Sequence, residues 1–195
     1  MIKRLFDLVS SSIVLVVLFP ILFLVAILIV LDSKGRIFYR QIRVGKDGKE
    51  FGLLKFRTMH PNMDQVQITV GHRDPRVTRV GYYLRKFKVD EFPQLLNILK
   101  GEMSVVGPRP EVPKYVAMYN EEQQKVLSVK PGLTDFASLE YVHESELLAA
   151  SDNPEKTYIE EIMPHKLSLN LKYIQEKSLS TDVKLIVRTI LKILD

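Results

Sequence analysis

IVLVVLFPILFLVAILIVL, residues Ile13–Leu31, is an unbroken apolar run in a chain of 195 residues. Wound as a straight helix it measures roughly 28 Å, close to the thickness of a bilayer's hydrocarbon core. A core helix of a soluble protein ordinarily keeps a polar face, and this run has none. A cleaved secretory signal has a shorter apolar stretch followed by a small-residue cleavage site, and no such site follows Leu31. The run therefore predicts a segment embedded in a membrane.

Its flanks decide how it sits there. Lys3 and Arg4 precede it, and Lys34, Arg36, Arg40 and Arg43 follow it, so the positive-inside rule gives a spanning helix no orientation. Both flanks are satisfied together if both lie on the cytoplasmic side. Pro20 permits that arrangement, because it lacks an amide hydrogen and its ring crowds the carbonyl of Val16. A proline is also tolerated in an ordinary spanning helix. The residues of this run leave both arrangements open.

The length suits one domain plus an extra segment. The formal net charge is +5, and it is concentrated early. Lys34, Arg36, Arg40, Arg43, Lys46, Lys49, Lys55 and Arg57 face only Asp47 and Glu50, whereas the stretch from Glu140 to Glu161 is acidic. Such asymmetry points to a local anionic partner. Aromatic residues do not interleave the basic stretches as a stacking platform requires, which argues against nucleic acid. The chain has no cysteine, so disulfides and thiolate metal sites are excluded.

Beyond the apolar run, Arg36–Val44 and Glu50–Thr58 are apolar stretches with partial alternation around the turn formers Gly45-Lys46-Asp47-Gly48-Lys49, which predicts a β-hairpin. The segment from His60 to Thr78 reads as an irregular loop, and His60 and His72 as surface histidines without metal-pair spacing. Helices are expected at Val80–Lys88, at QLLNIL ending on Gly101, within Glu111–Val129, and at Pro164–Lys177 and Ser180–Leu194. The last is amphipathic, with Ser180 or Thr181 as its cap and Lys184, Arg188 and Lys192 on one face. It suits either the protein core or the lipid interface.

Two short stretches carry candidate chemistry. Asp90-Glu91-Phe92-Pro93 opens the QLLNIL helix, and taken alone such a DExP stretch reads as helix capping. Arg85, Lys86 and Lys88 stand just before it, however. A phosphate drawn to that basic helix start meets two carboxylates unless a divalent cation intervenes, and Mg²⁺ takes one or two carboxylates together with substrate phosphates. A carboxylate so placed can also attack phosphorus. Downstream, Pro108 and Pro110 restrict the backbone of Arg109, a planar fork suited to bidentate phosphate recognition. An Arg109–Glu111 pair in a rigid surface turn is the plainer account of that loop.

In order along the chain stand KRLFDL (Lys3–Leu8), the proline-containing apolar run, RQIRVG (Arg40–Gly45), KFRTM (Lys55–Met59), RVGYYLRKFKVDEFPQLLNILKGEMSVVGPRPE (Arg79–Glu111) and KPGLT (Lys130–Thr134). This order resembles the small monotopic bacterial phosphoglycosyl transferases, which initiate glycan assembly on undecaprenyl phosphate, over about two thirds of the chain. The resemblance implies a reaction that moves a sugar phosphate from a UDP-sugar to a polyprenyl phosphate. It implies Asp90 as the nucleophile, Glu91 as its dyad partner associated with Mg²⁺, Asp90 and Glu91 as the metal-binding residues, and Arg85, Arg109, Lys55 and Arg57 at the phosphate and nucleotide site. It also implies an α+β fold, predominantly α. The resemblance further implies a re-entrant helix-break-helix at Pro20 over residues 1–35. It implies the hairpin and a small helical catalytic domain with interfacial amphipathic helices over residues 36–195, on the cytoplasmic face of the bacterial inner membrane. Two departures stand out. Phe19-Pro20 replaces the Ser-Pro of many members, and Asp135-Phe136-Ala137-Ser138-Leu139-Glu140 replaces their GWAQVNGR. The competing reading is a non-catalytic membrane-anchored module that binds an anion or a partner.

Overall fold

The computed structural model describes residues 2–61 and 74–194, so most of the 60–78 segment, His72 included, lies outside the described residues. The described chain is mostly helical, with two small two-stranded sheets.

Helix α1 runs from Ile2 to Asp32 as one element with Pro20 inside it. It is long and apolar enough to cross a membrane. Val16, Val17, Phe19, Phe23 and Leu24 near its middle are exposed. Its first turns are polar and tied down. Lys3 Nζ donates to Asp182 at 2.5 Å and to the Val106 carbonyl at 3.0 Å. Arg4 donates to the carbonyls of Ile98 and Leu99, and the buried Asp7 accepts from Ser104 Oγ at 2.9 Å and the Val105 amide at 3.1 Å. At the other end, Asp32 accepts from the Val80 amide at 2.9 Å, and Arg57 donates to the carbonyls of Ser33 and Arg36. Both ends of α1 are thus bonded to the same folded body.

The predicted hairpin forms as β1 (Phe38–Val44) and β2 (Glu50–Phe56), antiparallel, with Tyr39 opposite Lys55 and Val44 opposite Glu50. Helix α2 (Arg79–Lys86) is capped by Thr78, whose hydroxyl accepts from the Gly81 amide. Helix α3 (Gln94–Lys100) ends, as expected, on Gly101, whose φ of +88° is one that an L side chain rarely adopts. Two further strands that the sequence patterns do not announce, β3 (Ser104–Val106) and β4 (Gly132–Thr134), pair in parallel.

The stretch Glu111–Val129 does hold helix, but in pieces: α4 (Pro113–Val116), then α5 (Glu121–Gln124) continued by a 3₁₀ turn over Lys125–Ser128. Asn120 starts the second with a full capping box to Gln123, and this local competitor interrupts a longer helix. Short helices α6 (Phe136–Glu140), α7 (Glu144–Ala149) and α8 (Pro154–Thr157) follow, then a π turn at Tyr158–Ile162 leading into α9 (Met163–Glu176). The last helix, α10 (Leu179–Leu194), begins one residue earlier than expected. Its start is capped by Ser178, whose hydroxyl accepts from the Thr181 amide, rather than by Ser180 or Thr181.

Side chains of α1 enter two of the apolar clusters. Val14 and Leu15 pack against Phe51, Leu95, Ile98 and Met103, while Val25 and Ile29 pack with Phe56 and Leu84. A third cluster, around Tyr115, Tyr158, Ile162 and Leu167, is built by the C-terminal half alone.

The chain just after β3 and the start of β4 approach closely because glycine stands at both places, Gly107 and Gly132. A Cβ on Gly132 would lie 2.0 Å from the Gly107 amide nitrogen, and one on Gly107 2.5 Å from the Lys130 carbonyl oxygen. Backbone cannot yield there as a flexible side chain can. Gly132→Ala is expected to cost about 1–3 kcal/mol, read as a lower melting temperature of the detergent-solubilised protein.

Candidate active site

Four elements converge on the Asp90–Glu91 pair. The pair sits on a single 3₁₀ turn, Val89–Glu91, between α2 and α3. Lys88, with φ of +56°, reverses the chain at the end of α2 and so delivers that turn. The position capping α3 is Pro93, three residues beyond Asp90, so Asp90 is not the cap of that helix. Strand β2 contributes Lys55, α2 contributes Arg85, and the proline-flanked 107–110 loop contributes Arg109.

Glu91 is held from two sides. Lys55 Nζ donates to Oε1 at 3.1 Å. The Arg109 guanidinium grips both oxygens, with Nη1 donating to Oε2 at 3.2 Å and Nη2 donating to Oε1. This two-pronged geometry is the strong form of an arginine–carboxylate pair. Arg85 and Lys88 add their charges to the field at both carboxylates. Four cationic side chains thus surround two carboxylates, and the surplus favours an anionic ligand such as a phosphate.

The two carboxyls are driven in opposite directions. Burial pushes Asp90 up from the usual aspartate value against the attraction of Lys55, and the neighbouring Glu91 charge pushes it further up. Burial also opposes ionisation of Glu91, but Arg109 and Lys55 outweigh it and hold that carboxyl well below its usual range. Glu91 raises the pKa of Arg109 in turn. Lys55 is lowered by its own burial, in part offset by Glu91. Adjacent carboxyls in one turn thus differ: Arg109 and Lys55 favour the charged form of Glu91, whereas burial disfavours that of Asp90.

Of the residues singled out in the sequence, Asp90, Glu91, Lys55, Arg85 and Arg109 come together. Arg57 does not join them. It is 8% exposed, and its hydrogen bonds go to Ile29, Ser33 and Arg36, where it caps the C-terminal end of α1. The anticipated Arg109–Glu111 pair does not form either, since Glu111 bonds Arg43 at 3.1 Å and the Tyr158 hydroxyl. His143 is an exposed surface residue beside Glu146. Among the described residues no three His, Cys, Asp or Glu side chains gather as a metal cage. The donors at the pair are carboxylate oxygens, the type a hard ion takes when water and phosphate complete its shell; both Glu91 oxygens already accept from Lys55 and Arg109, so Asp90 is the more open of the two.

A family model for bacterial sugar transferases matches residues 1–195. The chain belongs to that family. It is 37% identical over 196 residues to the undecaprenyl-phosphate glucose phosphotransferase of Komagataeibacter xylinus, covering 96% of this chain and 35% of that protein. It is 36% identical over 200 residues to the UDP-glucose:undecaprenyl-phosphate glucose-1-phosphate transferase of Caulobacter vibrioides, covering 96% of this chain and 68% of that one. The exopolysaccharide production protein PSS of Rhizobium leguminosarum bv. phaseoli is 37% identical over 196 residues, with 96% and 92% covered. The chain thus spans about a third of the length of the first of these relatives.

This bacterial sugar transferase also uses a residue that motif reading passes over. Asn97, on α3, is fully buried. Its Oδ1 accepts from the Leu54 amide at 3.0 Å, while Nδ2 donates to the Gly52 carbonyl at 2.9 Å and to Glu102 at 2.7 Å. It therefore welds α3, which begins just after the carboxylate pair, to the strand that carries Lys55. A single asparagine within the apolar string QLLNIL was the available signal. Asn97→Ala leaves a strand amide and carbonyl buried without partners and is expected to cost about 2–4 kcal/mol. A denaturant or thermal melt against the parent protein measures it.

Proposed function

We propose that this sugar transferase is a phosphoglycosyl transferase, acting on a UDP-sugar and a polyprenyl phosphate through a covalent aspartyl phosphosugar. The observation that carries this reading is the buried Asp90 beside an ion-paired Glu91, ringed by Lys55, Arg85, Lys88 and Arg109. A site that only bound anions gains nothing from two buried carboxylates at its centre.

The Asp90 carboxylate attacks the β-phosphorus of the donor. A carboxylate oxygen–phosphorus bond forms, the bond from that phosphorus to the bridging oxygen breaks, and UMP leaves with the bridging oxygen. A phosphate oxygen of the polyprenyl phosphate then attacks the same phosphorus, the aspartyl oxygen–phosphorus bond breaks, and polyprenyl diphosphate sugar is released with Asp90 restored. Arg109 and Lys55 hold Glu91 in place and direct their remaining N–H donors to the phosphates; Arg85 adds charge on the α2 side. Asp90 and Glu91 are the residues that would hold Mg²⁺, which supplies neutralisation of phosphate charge when bound. The names of the relatives make UDP-glucose the first donor to test.

The reading places α1 in the membrane as a re-entrant element bent at Pro20, with the rest of the chain on the cytoplasmic face of the inner membrane. Its support is the attachment of both ends of α1 to one folded body, while the middle presents Val16, Val17, Phe19 and Phe23 outward. A helix crossing to the far side cannot keep both ends on that body. The soluble donor and the lipid acceptor then meet at one surface.

The deciding experiment incubates the detergent-solubilised protein with undecaprenyl phosphate, Mg²⁺ and a panel of UDP-sugars and follows UMP. Release that requires lipid and Mg²⁺ and is abolished in Asp90→Asn is the expected result. Silence across the panel, from folded protein beside a working control enzyme, would return the chain to the reading of a membrane-anchored binding module.

The raised pKa of Asp90 sets the sign of the pH dependence. The nucleophile must be ionised, so kcat/KM for the donor rises with pH through a limb above the ordinary aspartate range. Lys55 stabilises the charged form of Asp90, so Lys55→Met moves that limb to still higher pH. Initial rates across a buffer series read both effects.

A further inference from the structure

Prolines 108 and 110 carry no amide hydrogen, so Arg109 supplies the only backbone N–H of the Pro108-Arg109-Pro110 run. That amide donates to Asp135 Oδ2 at 3.1 Å. The neighbouring carbonyls are also occupied, that of Pro108 by the Gly132 amide at 3.0 Å and that of Pro110 by Arg43 at 3.0 Å. Asp135 is completely buried, and its other oxygen, Oδ1, caps α6 by accepting from the Ser138 amide at 2.6 Å.

Capping alone does not account for an ion here. Asn or Ser caps a helix about as well and brings no charge into the interior, where an ionised carboxylate is costly. What Asp adds is a second acceptor, turned toward Arg109, and a negative charge that favours the guanidinium.

We propose that Asp135 is a positioning residue for Arg109. It locks the one backbone donor of the loop to the start of α6, and so fixes where the guanidinium stands relative to Glu91 and the phosphates of the donor. The inference rests on the proposed placement of Arg109 at those phosphates.

Three variants separate positioning from capping. Asp135→Asn and Asp135→Ser each keep an oxygen for the α6 cap and lose the acceptor facing Arg109; Asp135→Ala loses both. Positioning predicts that all three raise the donor KM by a similar factor, roughly tenfold, the scale of one hydrogen bond in a charged setting. The melting temperature is expected to fall furthest in Asp135→Ala. A purely structural cap predicts the reverse pairing: near-parental KM in Asp135→Asn and Asp135→Ser, with KM following the melting temperature. A second readout needs no turnover. Exchange of the Arg109 amide, followed by mass spectrometry on the peptide across 107–112, is expected to accelerate in Asp135→Asn and Asp135→Ser. Unchanged exchange in both would overturn the proposal even if the wild type is an active transferase. Accelerated exchange in a protein that releases no UMP would instead keep the link and discard the transferase reading.

Discussion

The attachment of α1 at both ends is the constraint on which the rest of the molecule depends. A helix of 31 residues is about 46 Å long if straight, and a free apolar helix of that length has no reason to stay near the body it precedes. Here it is fastened by Lys3, Arg4 and Asp7 at one end and by Asp32 and Arg57 at the other. Between the fastenings, its inward residues complete apolar clusters that also contain β2, α2 and α3. Those three elements carry Lys55 and Arg85 and frame the Asp90–Glu91 turn. The membrane segment is therefore part of the scaffold of the site.

That scaffold makes the electrostatics of the site affordable. Two adjacent carboxylates out of water repel each other and lose hydration, and neither term is small. Glu91 is compensated by direct contact with Lys55 and Arg109, at 3.1 and 3.2 Å. Asp90 receives only the more distant help of Lys55, Arg85 and Lys88, and burial remains its largest influence. Such a group is poorly solvated whether or not it is charged, which is the condition in which a carboxylate is most ready to bond to something else. Under the proposed reaction, that something is phosphorus.

The parts of this arrangement that were legible in the sequence are those written in local patterns. Hydropathy alone marks α1, turn formers mark the hairpin, and Gly101 marks the end of α3. The carboxylate pair and Arg109 stand in distinctive local contexts and are found where expected. Long-range partners are another matter. Arg57 stands two residues after Lys55 in KFRTM, a spacing that shares a face only while the strand continues; β2 ends at Phe56, and the Arg57 guanidinium serves the end of α1 instead. Asp7, Asn97 and Asp135 are polar residues whose roles depend on backbone groups remote in sequence, and no periodicity records that. The broken helix after Pro113 was recoverable, because Asn120 and Gln123 spell a capping box inside the stretch.

The contact between Lys3 and Asp182 joins residues 179 positions apart. Ribosomal synthesis runs from the N-terminus at roughly 5–20 residues per second, so the first turn of α1 waits on the order of ten seconds or more for its partner to be made. The other fastenings of α1 do not wait so long, because Arg57, Val80, Ile98 and Ser104 are all made well before Asp182. The Lys3–Asp182 contact is thus the last fastening to become available, and it closes the first turn of α1 onto a body whose other ties to that helix can already be made.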